Sequence, residues 1–261
     1  MPAAPTADRR ARSTLCVLAF VAAGCAARVP RVLQPATATE LLDGLAARRV
    51  ALTSLRARAR LRAGVSGLWV REALLVRRPD AVRIDVLSPF GLTLAVGARG
   101  SLLWAYPPSA GTRYEGDATP ENLARFLGAP VAVPDVVSIL LGGPPQREPA
   151  APSSLARTRD GEYRLTLPLT GGTQTIWFAG DTLTVRRAEE TRGPTLALRV
   201  VFDDYRDGFP HVIDVAGPTA GARLAYDAVE LNAPLDPAVF APPPAARVLP
   251  LEAAPAREAP S

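Results

Sequence analysis

Lysine is absent from this sequence, and arginine supplies all 30 of its basic side chains. There is one histidine, so an acid–base pair built on two imidazoles is excluded. Two cysteines and one histidine are too few for a clustered thiolate–imidazole metal centre. Aromatic residues make up only 6%, and Asp and Glu are interspersed among the arginines, which argues against nucleic acid as the partner of the net charge of +5. No G-x-S-x-G elbow, phosphate loop or dinucleotide fingerprint occurs. The pairs Glu189-Glu190 and Asp203-Asp204 lie on expected strands, where adjacent side chains point to opposite faces. His211, in phase with Phe209, Ile213 and Val215, reads as a structural strand residue. The expectation is a protein without enzymatic activity, metal or cofactor.

No apolar run reaches the roughly 20 residues that a membrane-spanning helix needs. A shorter one is informative. Arg9, Arg10 and Arg12 precede Leu15-Cys-Val-Leu-Ala-Phe-Val-Ala-Ala23, a positive segment followed by an apolar one, as in a secretory signal. The small residues Ala22-Ala23-Gly24 then end in Cys25, which resembles the bacterial lipobox. That resemblance implies residues 1–24 as signal peptide and Cys25 as the lipidated first residue of the mature chain, followed by a tether over residues 25–36. Cys16 would be removed, leaving no pair for a disulfide. Several acyl chains at about 0.8 kcal/mol per buried CH₂ anchor a protein almost permanently. Ala26, where Asp would signal inner-membrane retention, points to the outer membrane.

Beyond the tether, Thr37-x-x-Glu40 is a capping box opening a helix that carries Leu41, Leu42, Leu45 and Leu52. Arg56-Ala-Arg-Ala-Arg-Leu-Arg-Ala63 alternates strictly, placing four arginines on one strand face and small residues on the other. Leu68 to Val76, Val82 to Val86 and Leu92 to Val96 continue as a meander, with Glu72 interrupting one face. Helices are expected over residues 119–128 and 134–142, then a stiff Pro-rich linker over 144–152. Further strands follow at 163–169, 173–179, 182–192, 195–206, 209–215 and 222–231. Short strands with one apolar face each predict an antiparallel sheet that curls. Phe240 reads as a plug, and the Pro- and Ala-rich residues 241–261 as a disordered tail.

The order lipobox, helix, meander, x-Pro-apolar-Gly turn, two short helices near Leu-Gly-Gly and more strands resembles the LolA/LolB superfamily, LolB most closely. The resemblance spans most of residues 37–240 and rests on Asp85–Leu94, "TPENLARFLGAP" and "SILLGG". It implies an α+β chain, mainly β: a half-open barrel with a helical lid. Its apolar cavity would hold acyl chains. The expected lining is Leu61, Leu74, Ile84, Val86 and Leu94 from the first half, and Leu123, Phe126 and Leu140 from the helices. Leu165, Ile176, Leu198 and Val200 complete it from the second half. LolB also carries a protruding apolar loop, matched here by Leu87, Pro89, Phe90, Gly91 and Leu92, with Phe90 where the family more often has Leu. The implied partners are acyl chains of lipoproteins or other lipids, a LolA-like periplasmic carrier and the inner leaflet of the outer membrane, met by a monomer facing the periplasm. The linker and the tail depart from the family pattern. A non-transferring envelope lipoprotein, acting as a scaffold or binding another lipid, is the competing reading.

The anchor is directly testable. Cys25→Ala should abolish both incorporation of radioactive fatty acid and processing at Gly24–Cys25, and label retained by the variant would contradict the lipoprotein assignment.

Overall fold

The computed structural model describes Gln34 and residues 36–64, 67–127, 130–218 and 220–254. The signal peptide, Cys25, most of the tether and residues 255–261 lie outside the described residues. Helix α1 (Ala38–Ala51) starts at the expected capping box. The Glu40 amide donates to Thr37 Oγ1 at 3.2 Å and the Thr37 amide to Glu40 Oε2 at 2.7 Å, satisfying two otherwise orphaned donors.

Thereafter the chain is a meander: β1 (Ser54–Ala63), β2 (Val70–Arg77), β3 (Ala81–Ser88), β4 (Gly91–Arg99), β5 (Leu102–Tyr106) and β6 (Thr112–Asp117). Two short helices, α2 (Pro120–Leu127) and α3 (Val133–Leu140), separate this run from β7 (Ser154–Arg157), β8 (Tyr163–Leu169) and β9 (Gly172–Phe178). Then come β10 (Val185–Arg192), β11 (Thr195–Arg206), β12 (Phe209–Ala216), β13 (Gly221–Leu231) and β14 (Arg247–Pro250). All fourteen described strands form one sheet in the order β14-β6-β5-β4-β3-β2-β1-β13-β12-β11-β10-β9-β8-β7. The seam between the halves is the β1–β13 pair, with Leu55 opposite Leu231 and Ala63 opposite Ala222. The end strands β14 and β7 do not pair with each other, so the barrel stays half open.

Strand alternation assigns the two faces. Ala57, Ala59, Leu74, Val76, Val82 and Val96 point to the concave side with Leu165, Ile176, Leu198 and Val200, and all ten belong to one buried cluster. Arg56, Arg58 and Arg60 point out and are exposed. The segment expected as a stiff linker is packed. Pro144 and Pro145 are buried, and the Gln174 side chain donates to the Pro145 carbonyl at 2.8 Å.

The expected disorder of residues 241–261 is corrected over residues 241–254, which strap the sheet. Asp236 caps a short 3-10 turn, Pro237–Phe240, on the convex side, where Trp104 Nε1 donates to the Phe240 carbonyl at 3.2 Å. Phe240 is indeed buried, but its ring lies under the Arg77 guanidinium. Arg83 donates to Val239 O and Arg113 to Pro243 O, so guanidinium–carbonyl bonds hold a segment that has no apolar periodicity. The strap then pairs in parallel with β6 and inserts Leu251, fully buried, against Gly116. A Cβ at residue 116 would meet Leu251 Cβ at 2.9 Å, so the fit requires glycine.

Leu251→Ala should therefore destabilise the protein by about 2–4 kcal/mol in urea unfolding, the usual cost of a truncated buried leucine. A disordered tail would give no change.

Candidate functional site

Between α3 and the strands on both sides of the β1–β13 seam lies a cavity of about 100 Å³, lined mainly by apolar side chains. Its floor is Leu61, Leu74, Ile84, Ile213, Val215, Ala222 and Leu224, and its roof is Val131, Val136, Ile139 and Leu140. On this measure a water needs roughly 10–15 Å³, so the cavity has room for a short stretch of hydrocarbon and not for a complete acyl chain. Glu72, 2% exposed, is its one ionisable lining residue.

Alanines 57, 59, 98 and 105 occupy concave positions of β1, β4 and β5, and Tyr163, Phe178 and Phe202 join the same buried cluster from β8, β9 and β11. Leu41 of α1 is buried in the same cluster, with Leu42 and Leu45 packed against it. The expected lining is corrected accordingly. Leu61, Leu74, Ile84 and Leu140 do line the cavity, and Leu123 and Phe126 line a small adjoining void with Ile84. Val86 and Leu94 are half-buried and pair with each other beyond Glu72 toward the β3–β4 turn. Leu165, Leu198 and Val200 belong to the filled core, and Ile176 faces a separate hollow with Leu42, Leu45 and Arg78. Glu72, Val131, Val136, Ile139, Ile213, Val215, Ala222 and Leu224 were missed. The alternation of β12 and β13 carried the signal for the last four. His211 lies edge-on to Phe209 and Tyr226 at centroid distances of 6.1 and 6.5 Å.

Polar side chains hold the roof to the sheet. Arg78 bridges both helices, donating to Leu52 O at 2.9 Å and to Ser138 Oγ at 3.2 Å. Desolvation and the nearby Arg49 charge lower its pKa to about 10, so it remains charged at neutral pH. Tyr226 donates to the Leu140 carbonyl at 2.8 Å, and burial pushes its phenol upward. Arg147 binds both Asp135 oxygens at 2.8 and 2.7 Å and reaches Glu190 at 3.0 Å, tying the first turn of α3 to β10. Burial alone would lower the Arg147 pKa, but the two carboxylates outweigh it and raise it. Burial holds the Glu190 carboxyl above the usual carboxylate range despite that partner.

The β3–β4 turn projects from the rim next to the cavity. Phe90 is 100% exposed and Leu92 37%, with Pro89 exposed and Leu87 half-buried. Ser88 Oγ accepts from the Phe90 amide and donates to Gly91 O, each at 3.2 Å, and Gly91 takes φ 117°, which favours glycine. The ring is held out in solvent, away from its own sheet.

A curled antiparallel sheet with unpaired ends, a helical lid and an apolar concave face define the class: a half-open barrel of LolA/LolB-like fold. No family model and no curated protein matches the sequence. Among solved structures, a domain from Vibrio parahaemolyticus named an outer membrane lipoprotein-sorting protein is 14% identical, with a TM-score of 0.50 over 78% of this chain and 97% of that one. A DUF1329 family protein from Desulfovibrio piger is 13% identical, with a TM-score of 0.53 over 78% of this chain and 95% of that one. A LolA superfamily protein from Nitrosomonas europaea is 15% identical, with a TM-score of 0.49 over 80% and 99%. At such identities the likeness is one of fold.

Cavity and core should respond oppositely to mutation. Ala222→Phe should displace a hydrophobic fluorophore from the protein at a cost of about 1–3 kcal/mol in stability. Leu198→Glu, which puts a charge into closed core, should instead destabilise the fold by several kcal/mol. Full fluorophore binding by Ala222→Phe would show that the probe sits elsewhere.

Proposed function

We propose that this protein is an outer-membrane-anchored lipoprotein that takes acyl chains into the apolar cavity and helps to insert lipoproteins into the outer membrane. One observation carries the reading: the cavity floor, the half-buried pair Val86 and Leu94, and the exposed ring of Phe90 follow one another toward a single rim. Burying a phenyl ring stabilises by about 2–3 kcal/mol, too little to anchor a protein but enough to orient one that is already tethered. In this mechanism cargo enters under α3, which requires the roof to lift because the resting cavity is smaller than an acyl chain. Arg78 and Arg147 define what must give, since each joins the lid to another element. The protein contributes surface and does no covalent chemistry. A LolA-like periplasmic carrier is the donor in this scheme, and the protein acts as a monomer.

A resting cavity of only about 100 Å³ favours a second reading, a non-transferring envelope lipoprotein that scaffolds a partner or binds another lipid. Transfer kinetics separate the two. Phe90→Glu should change stability by less than about 0.5 kcal/mol, as expected of an exposed substitution. The same variant should slow delivery of a lipoprotein from a carrier into liposomes. Delivery at the wild-type rate would remove Phe90 from the mechanism, and a large fall in melting temperature would refute its exposure.

A further inference from the structure

The rim that carries Phe90 is apolar over two adjacent hairpins, and beneath it lies a cluster of arginines that face one another across the strands. Among the described residues, four of the seven exposed large apolar side chains lie at this end of the sheet: Leu68, Trp69, Phe90 and Leu92. Leu68 and Trp69 precede β2, Phe90 and Leu92 flank the start of β4, and β2 and β4 both pair with β3. Trp69 is 42% exposed, with the guanidiniums of Arg60 and Arg62 at 5.6 and 5.3 Å from its ring centroid.

Strand register then places like charges directly opposite each other. Arg60 faces Arg71 across β1–β2, and Arg62 faces Arg223 across β1–β13. Such pairs are destabilising. Carboxylates compensate two of the four: Asp227 lies 3.0 Å from Arg60 and Asp214 lies 2.8 Å from Arg223. Arg62 and Arg71 have no ion-pair partner among the described residues, and Arg62 Nε is buried without a hydrogen-bond acceptor. The stack on Trp69 offsets part of that cost for Arg62, but Arg71 keeps an uncompensated charge at an exposed position, which a polyanionic surface would neutralise.

We infer that this convex rim docks on a bilayer containing anionic phospholipid, with Trp69 and Phe90 at the acyl boundary and Arg62 and Arg71 on lipid phosphates. The inference rests on the membrane-facing reading of Phe90 and adds a second hairpin, a lipid class and an orientation. Distances agree with it. Arg71 is paired with Leu87, three residues from Phe90, and three strand residues span about 10 Å. A ring immersed roughly 5–10 Å below the interface leaves that guanidinium at phosphate level. Guanidinium matches phosphate oxygens with two parallel donors, and the arginine–tryptophan stack suits an interface that is wet on one side.

The test is co-sedimentation of the mature chain from Ala26 onward, which carries neither signal peptide nor lipid, with vesicles of phosphatidylcholine alone or with added phosphatidylglycerol, at low and high salt. Each basic residue near an anionic surface contributes about fivefold in affinity. The double variant Arg62→Gln/Arg71→Gln should therefore bind phosphatidylglycerol vesicles about thirtyfold more weakly and phosphatidylcholine vesicles as before. Its melting temperature should not fall, because opposed charges have been removed. Arg71→Gln alone, at an exposed position, should show about fivefold and guards against misfolding of the double variant. Trp69→Ala should weaken binding to both vesicle types. Wild-type affinity of the double variant for phosphatidylglycerol, or an equal loss on both vesicles, would overturn the proposal. If Phe90→Glu alone abolishes binding while the arginine variants bind normally, the Phe90 tip stands and the arginine face falls. If the arginine effect is found while Phe90→Glu binds normally, the tip reading fails instead.

Discussion

The concave face of the open sheet carries one buried apolar cluster that runs across the β1–β13 seam. Tyr163, Phe178 and Phe202 belong to it, together with Leu165, Leu198 and Val200. In the first half the same layer is built on Ala57, Ala59, Ala98 and Ala105, beneath an eight-residue helix, α3. A close-packed interior leaves few voids larger than water, so the unfilled space between α3 and the strands at the seam must either collapse or remain as a cavity. Hydrogen-bonded ladders through β1, β2 and β13 hold the sheet wide, and the cavity remains. The lid depends on the same constraint: its roof is apolar, but arginine and tyrosine bonds at its edges fix its height.

Arginine as the sole basic residue shapes the rest. A guanidinium has five donors in a rigid fork, and this chain uses several of them on backbone carbonyls. Arg48 holds Gly208, Arg78 holds Leu52, Arg83 holds Val239, and Arg125 holds Ala254. Such bonds keep the C-terminal strap on the sheet and turn the edge strand β6 into a paired one. An unpaired edge is a site for unwanted association, and β14 blunts it at one end of the half barrel.

Much of the fold was legible because strands of period two announce themselves. The alternation of Arg56 to Ala63 and the strand expected over 195–206 correspond to β1 and β11. The capping box marked α1, and Pro-led starts marked α2 and α3. The strap was not legible, since Pro243 and Val239 are held by guanidinium–carbonyl bonds from β3 and β6, which leave no pattern in the segment itself. Of the site, the exposed turn at Phe90 could be read from Pro89 and Gly91. Periodicity identifies a concave residue but not whether the space in front of it is filled, so Leu198 and Leu74 looked alike in sequence and differ in the structure.

Whether the unfilled volume exists to receive hydrocarbon is best measured by native mass spectrometry of the mature chain from Ala26 onward, without signal peptide or lipid, incubated with a triacylated lipopeptide. The account predicts one lipopeptide bound per chain, with hydrogen exchange rising in α3 as the roof lifts. Absence of any complex, with α3 as protected as in the free protein, would contradict it and leave the cavity a packing defect of an unligated scaffold.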